Sequence, residues 1–385
     1  MLYNKFGNTG KEVSALGFGA MRLPMIGEDN KQEVNEELAI PLMRHSFELG
    51  VNYIDTAPYY CEKLSEIAVG KALKGYRDKV YLSTKNPIEN DVEEDWLGRL
   101  EKSLKNLDTD YIDFYHFWGI NLEGFKRWES LYKKSEGPLK AAEKAKDQGL
   151  IKHLSFSYHD KAENLRYIID SGIFETILIQ YNLLDRSHED NIAYAKEKGL
   201  GVVAMGPVGG GRLGVPSEVI QGLLNEGSEK KLVSTPEMAM RFVLANPNVD
   251  ITLAGMSDLA MLEQNAAIAS ISGHLTETEI VHVKAMMEEN KKLAQLYCTT
   301  CNYCKPCPQE INIPLLFNTM NNHRIYGITE HARQTYAEIM AGSNPWLKSA
   351  DATKCTECGE CERKCPQKLA IIQQLKETHE TLKPY

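Results

Sequence analysis

The chain has 385 residues, with 53 acidic against 44 basic side chains and a net charge of −9 with histidines neutral. At 43% hydrophobic and 25% charged residues it has an ordinary globular composition, long enough for a large core and two domains. The acidic balance argues against nucleic acid or a membrane surface as partner. No run of about 18 apolar residues exists to span a bilayer, and Met1–Gly7 lacks the apolar core of a secretion signal.

In chain order, Leu2–Val13 comes first: two short β-prone runs about Gly7-Asn8-Thr9-Gly10, a hairpin pattern expected to close the bottom of a barrel. Expected strands follow at Ala15–Gly19, Tyr53–Thr56, Val80–Thr84, Tyr111–Trp118, His153–Ser157, Thr176–Tyr181, Val202–Met205 and Ile251–Ala254. Between them, helical periodicity runs over Leu38–Leu49, Lys63–Leu73, Glu93–Leu107 and Leu139–Gln148, then Ala162–Asp170, Asp190–Glu197, Glu237–Ala245 and Leu259–Ala269. Gly50, Gly149 and Gly199 stand where helix-ending glycines belong. Strand–helix units repeating in this way over about 270 residues predict an α/β fold, a (β/α)8 TIM barrel with an N-terminal β-hairpin. A doubly wound sheet would want a glycine-rich turn opening directly into a helix after the first strand. Here the long polar loop Arg22–Glu37 follows instead. Gly209–Gly211, after the seventh strand, reads either as a flexible loop on the catalytic face or as a phosphate contact.

Leu275–Leu296 reads as one long helix, Pro314–Ala341 as mainly helical, and Leu369–Thr381 as a final helix. The expected boundaries are a barrel over 1–272, a connecting helix over 273–297 and a small, mainly helical ferredoxin-type iron–sulfur domain over 298–385. All the cysteines but Cys61 fall in this last region. Cys355, Cys358, Cys361 and Cys365, followed by Pro366, have the C-x2-C-x2-C-x3-C-P spacing of [4Fe–4S] ligation. Cys298, Cys301, Cys304 and Cys307, followed by Pro308, are a one-residue contraction of it. Three thiolates spaced by three residues wrap one face of a cubane, and the fourth, before proline, commonly ligates the other cluster. One cluster then takes Cys298, Cys301, Cys304 and Cys365; the other takes Cys355, Cys358, Cys361 and Cys307. Two clusters are the main expectation, and a single cluster remains open. Zinc fits paired C-x2-C units less well than these triple spacings, and a disulfide framework does not suit a long chain with clustered cysteines. Reduced thiolates imply a cytoplasmic setting.

The barrel region resembles the aldo/keto reductase family. Asp55-Thr-Ala-Pro-Tyr-Tyr60 looks like its D-T-A-x-x-Y motif, and Thr84-Lys85 closes the third strand where that family keeps its lysine. Tyr3–Gly19, Asp110–Tyr115, Gln180–Arg186 and Gly255–Ser257 also match, and with the cysteine tail the chain resembles the branch fused to a ferredoxin-type domain. The resemblance implies hydride transfer from a nicotinamide to a carbonyl, with Tyr60 as proton donor and Lys85 and Asp55 assisting. A phenol with a pKa near 10 is a poor acid at neutral pH, and a nearby ammonium is expected to lower it.

The sequence departs from the family at several positions. The family's histidine, five residues beyond the strand-four aspartate Asp113, is Trp118 here. His116, two residues earlier, is either on the same face and catalytic or a packed histidine under the site. Trp118 offers an indole N–H and a stacking face that suit a planar or enone-like substrate. The family's strand-five serine is Ser157, and the asparagine that binds the carboxamide is Tyr158. Its strand-six glutamine falls at Leu178, with Gln180 close by, and the ring that stacks on nicotinamide is replaced by Met205. Gly255, Ser257, Gln264 and Asn265 match the adenosine end, and the absence of Lys or Arg from Gly255–Asn265 favours NADH over NADPH.

A nicotinamide delivers a hydride, whereas a cubane moves single electrons. Three roles follow: an NAD(P)H-dependent reductase of a small molecule with auxiliary or structural clusters; a one-electron oxidoreductase; or an electron-transfer module for a ferredoxin-type redox partner. The retained Asp55, Tyr60 and Lys85 favour the first.

Overall fold

The computed structural model describes residues 1–27, 32–224, 234–295, 298, 304–365 and 369–384. It divides into two compact units: Met1–Pro207 with Ala239–Leu275, and Val208–Met238 with Thr276–Tyr385.

In the first unit, β1 (Tyr3–Lys5) and β2 (Glu12–Ser14) form the antiparallel hairpin, Asn4 opposite Val13. Then come β3 (Leu16–Gly19), a small ladder of β4 (Met25–Ile26) with β5 (Glu33–Val34), α1 (Glu36–Glu48), β6 (Tyr53–Asp55), α2 (Ser65–Leu73), β7 (Tyr81–Asn86) and α3 (Glu93–Leu107). They are followed by β8 (Ile112–Ile120), α4 (Leu122–Tyr132), α5 (Pro138–Asp147), β9 (Ile151–Tyr158), α6 (Ala162–Asp170), β10 (Thr176–Gln180), α7 (Glu189–Glu197) and β11 (Gly201–Met205). Past α8 (Glu218–Gln221), which belongs to the second unit, and α9 (Thr235–Leu244), whose first residues do so too, β12 (Ile251–Gly255) and α10 (Leu259–Ile268) complete the set. The strands β3-β6-β7-β8-β9-β10-β11-β12 close into a parallel barrel in that order.

Side chains on a strand alternate between faces, so every second residue points into the barrel. Phe6, at the end of β1, plugs the bottom of that interior against Tyr53, Phe114, Leu178, Val203 and Ile251. The plug requires glycine opposite it: a Cβ on Gly201 would stand 2.4 Å from the Phe6 ring, and one on Gly7 2.3 Å from the Gly201 nitrogen. One layer higher the interior turns polar, with Asp55, Ser83, His116 and Ser155 all buried.

Besides the short β4–β5 ladder, which lies inside the expected loop Arg22–Glu37, two features of the barrel unit lie outside the sequence-based reading. Helix α4 is additional; it buries only Phe125 and Trp128 along with Gly124, and this thin stripe is masked by its charged residues. Strand β8 runs to Ile120, with a register irregularity between Phe117 and Ile120 where the Gly119 amide donates to Ser157 Oγ at 2.8 Å.

The second unit holds α11 (Glu277–Gln295), α12 (Ile313–Arg324), α13 (Thr329–Ala341), the short α14 (Glu360–Lys364) and α15 (Ile371–Leu382). Leu316, Phe317, Met320, Tyr336, Ile339 and Leu375 form its core. Full burial of side chains of this size stabilises by about 1.5–3 kcal/mol each. The Tyr336 hydroxyl accepts from the Ala352 amide at 3.2 Å and lies in hydrogen-bond contact with His379 Nδ1 at 3.0 Å, tying the segment before Cys355 to α13 and α15. Gly209, Gly210 and Gly211 each adopt positive φ, which glycine does without steric cost. Among the described residues, no helix is long and apolar enough to cross a membrane.

Candidate active site

Asp55 ends β6, beside Ser83 of β7; Lys85, two residues on and therefore on the same inner face, pairs with His116 of β8. This register gathers the buried polar groups. Lys85 Nζ donates to Asp55 Oδ2 at 2.5 Å and to the Thr56 carbonyl at 2.7 Å. Asp55 Oδ1 accepts from the Ser83 hydroxyl at 2.8 Å, and the same hydroxyl lies 2.9 Å from His116 Nε2. Lys85 is 1% exposed and Asp55 2%, so neither charge is solvated and each depends on the other. Above them, Lys85 Nζ sits 4.8 Å from the centre of the half-buried Tyr60 ring.

Tyr60 owes its position to an unusual turn. Cys61, Glu62 and Lys63 all have left-handed φ, of 49°, 54° and 71°. For residues bearing a Cβ this conformation costs about 1–2 kcal/mol each. The turn is fastened from below: the Ser65 amide donates to the Tyr60 carbonyl at 3.2 Å, and Ser65 Oγ donates to the Ala20 carbonyl at 2.7 Å.

The electrostatics correct one expectation. The Tyr60 phenol is raised above its usual pKa, because burial raises it by more than the Lys85 ammonium lowers it, and the Asp55 charge adds to the rise. Tyr60 is therefore a neutral phenol throughout the neutral range. Burial alone would lower Lys85, but Asp55 and Tyr60 outweigh it and the ammonium is held above its usual value. His116, fully buried and then opposed by the Lys85 charge, is pushed down to about 3 and stays neutral.

Trp118 stands half-buried over this group, its ring centre 5.9 Å from that of Tyr60 at 84° and 5.6 Å from that of Tyr59 at 39°. His116 lies below, in the buried layer. Ser157 points inward but its hydroxyl is occupied by the Gly119 amide. Tyr158 turns outward: its ring is fully buried against Phe156 and His188, and its hydroxyl donates to the Lys161 carbonyl at 2.6 Å, so it is not brought together with the other expected cofactor residues. Gln180 and Met205 pair across β10 and β11 and are partly exposed, with the Gln180 amide against Gly206. Gly255, Ser257 and Gln264 are exposed and Asn265 is partly so. The sequence-based reading missed Ser83, although it lies two residues from Lys85 and so on the same strand face. It also missed His159, at the end of β9, whose pKa is lowered by burial and then by the Lys85 charge.

In the second unit, Cys304, Cys307, Cys355, Cys358 and Cys361 line one cavity. Four of these are the set expected for one crossed cluster. Cys365 is buried in the helical core and Cys298 packs against it, while Cys301 lies outside the described residues. Among the described residues, no three His, Cys, Asp or Glu side chains converge on a single metal ion. The thiols instead ring the wall of a cavity, an arrangement that suits a multi-iron group.

The sequence profile of the aldo/keto reductase family matches residues 15–288. The chain belongs to the aldo/keto reductase family. Within this family member, residues 297–370 match the profile of a 4Fe-4S dicluster domain. Among similar proteins, an uncharacterized oxidoreductase of Bacillus subtilis, YqkF, is 29% identical over 76% of this chain and 97% of its own. The L-galactose dehydrogenase of Arabidopsis thaliana is 28% identical over 74% of this chain and 94% of its own. Among solved structures, the aldo-keto reductase AKR11C1 of Bacillus halodurans, in its holo form, superposes with a TM-score of 0.62 at 27% identity, covering 74% of this chain and 96% of its own. The aldo/keto reductase-like oxidoreductase fold and its C-terminal cluster domain therefore stand together in one chain.

Proposed function

We propose that the barrel reduces a carbonyl or enone-like small molecule at the expense of NADH or NADPH, with Tyr60 as proton donor. The observation that carries this reading is the buried Asp55–Lys85 pair set directly beneath the Tyr60 ring. A reduced nicotinamide supplies two electrons and a hydrogen as hydride. Tyr60 gives its phenolic proton to the substrate oxygen as that oxygen gains negative charge. The phenolate left behind is stabilised by Lys85, and Asp55 keeps Lys85 charged and in place. Tyr60 is then reprotonated from solvent. Trp118 and Tyr59 offer aromatic faces at the mouth, which favours a planar substrate. Two similar proteins have names that speak of oxygenated small molecules, the L-galactose dehydrogenase and a methylglyoxal reductase of Escherichia coli, and they support this substrate class.

Gly255–Asn265 lacks basic residues, which favours NADH. Arg22 weighs against a strict preference, since its Cβ lies 3.9 Å from the point where a Gly255 Cβ would stand. In the second unit, Cys307, Cys355, Cys358 and Cys361 would hold one [4Fe–4S] cluster, and Cys298, Cys301, Cys304 and Cys365 the other. The reading is tested by Tyr60→Phe, which is expected to abolish turnover while leaving iron content unchanged. Full turnover without the phenol would remove the mechanism. The second reading, a one-electron iron–sulfur oxidoreductase, is favoured by Tyr158, which stands where the family keeps its carboxamide-binding asparagine and whose hydroxyl is engaged by the Lys161 carbonyl.

A further inference from the structure

We propose that Ser83 and His116 are positioning residues that hold Asp55 in the one orientation in which it can pair with Lys85. The inference rests on the Asp55–Lys85–Tyr60 reading above and extends it downward by two side chains.

The proton inventory fixes the direction of every bond. A carboxylate only accepts, so the Ser83 hydroxyl donates its single proton to Asp55 Oδ1 at 2.8 Å. The 2.9 Å contact between Ser83 Oγ and His116 Nε2 then requires the imidazole to be the donor. This arrangement assigns His116 the Nε2–H tautomer, with the Phe156 backbone the other polar group set against its ring. Asp55 is held at both oxygens, by Ser83 on Oδ1 and by Lys85 on Oδ2. Rotation of the carboxylate would break both bonds among side chains that are buried on every side. The chain of groups does not conduct protons: His116, pushed down to about 3, carries no second proton to pass on at working pH. Its role is geometric.

The groups facing Asp55 are Lys85 on β7, Tyr60 in the loop after β6, Tyr53 below it on β6 and His116 on β8. His159 of the β9 end acts through Lys85. Loss of the Ser83 donor removes one of the two bonds that fix the Asp55 carboxylate, which is then free to turn away from Lys85. Lys85 is then less firmly placed beneath Tyr60, and the effect falls on kcat rather than on KM.

The test uses the full-length, cluster-replete protein with NADPH and phenanthrenequinone as a planar dicarbonyl probe. Ser83→Ala and His116→Leu are expected to lower kcat about 10- to 100-fold, with KM nearly unchanged. Ser83→Thr and His116→Gln, which keep a donor in place, are expected to restore kcat. Ser83→Cys replaces Ser83→Ala if the latter does not fold, and is expected to show the same loss of kcat at unchanged KM. In parallel, 15N spectra of histidine-labelled protein, assigned against His116→Gln, report the tautomer without any turnover. An Nε2–H signal supports the arrangement and an Nδ1–H signal overturns it. Unchanged kcat in Ser83→Ala and His116→Leu, with Tyr60→Phe inactive, would overturn the positioning role alone. An active Tyr60→Phe would overturn the reading on which it rests.

Discussion

Lys85 Nζ lies 4.8 Å from the centre of the Tyr60 ring while remaining bonded to Asp55. The ammonium therefore faces two groups at once, a permanent anion below and a latent one above. Before reaction the buried charges of Asp55 and Lys85 cancel. When the phenol gives up its proton, the new negative charge is created beside a cation already in place, and this is where preorganised electrostatics contribute most to catalysis.

The pair is mutually dependent, and stability measurements on variants can show it. Asp55→Asn leaves a buried ammonium unpaired, and Lys85→Met leaves a buried carboxylate unpaired. Each is expected to destabilise the barrel by about 3–5 kcal/mol, whereas the double variant, with no charge left to strand, is expected to be more stable than either single one. Denaturant unfolding of the three variants checks the order. A double variant less stable than both singles would show that the pair is not coupled in this way.

The raised pKa of Tyr60 sets the pH dependence of catalysis. Above its usual value the phenol is protonated through neutrality, so reduction is expected to be flat with pH there and to fall only above pH ~10. Oxidation of the corresponding alcohol needs the phenolate and is expected to accelerate with pH up to the same limit. Lys85→Met removes the one strong influence lowering this pKa and is expected to push both limbs further up. Rates in both directions from pH 6 to 11 are the measurement; a Lys85→Met limb at lower pH would contradict the assignment.

The left-handed turn Cys61–Lys63 stores strain next to the proton donor. Glu62 is exposed, so Glu62→Gly removes the Cβ conflict without opening a cavity. The relief of about 1–2 kcal/mol is partly offset by the extra chain entropy of glycine, and a small rise in Tm is expected. Tyr60 is then less firmly held, and kcat is expected to fall. A lower Tm in Glu62→Gly would show that the turn is not strained.

Cluster ligation is expected to be crossed between the two cysteine runs. Cys304 and Cys307 both share a cavity with Cys355, Cys358 and Cys361, and the crossed assignment takes Cys307 for that cluster, so Cys307→Ala is expected to impair it and to spare the one held by Cys365. Iron content and electron paramagnetic resonance of Cys307→Ala and Cys365→Ala would distinguish them. Loss confined to the opposite cluster would refute the crossed arrangement.

The barrel strands were legible because β-branched runs alternate with amphipathic stretches, and the Phe6 hairpin because glycines bracket its turn. Asp55, Tyr60 and Lys85 were legible from motif and spacing. Helix α4 was not, since its stripe of buried residues is thin. Nor was the left-handed turn at Cys61–Lys63, because no glycine marks it. The direction of the Tyr60 shift escaped the sequence for another reason: a neighbouring lysine can be read from a motif, but the burial that outweighs it exists only in the assembled barrel. Ser83 shows the opposite case, a residue whose placement the strand period already implied.

The most direct test of nicotinamide-dependent chemistry in this barrel is titration of NADH and then NADPH into anaerobically purified, iron-replete protein, followed by fluorescence. The account predicts saturable binding of at least one of them, retained in Tyr60→Phe although turnover is lost. Absence of binding by either dinucleotide would contradict it and direct the search to one-electron substrates and ferredoxin-type partners.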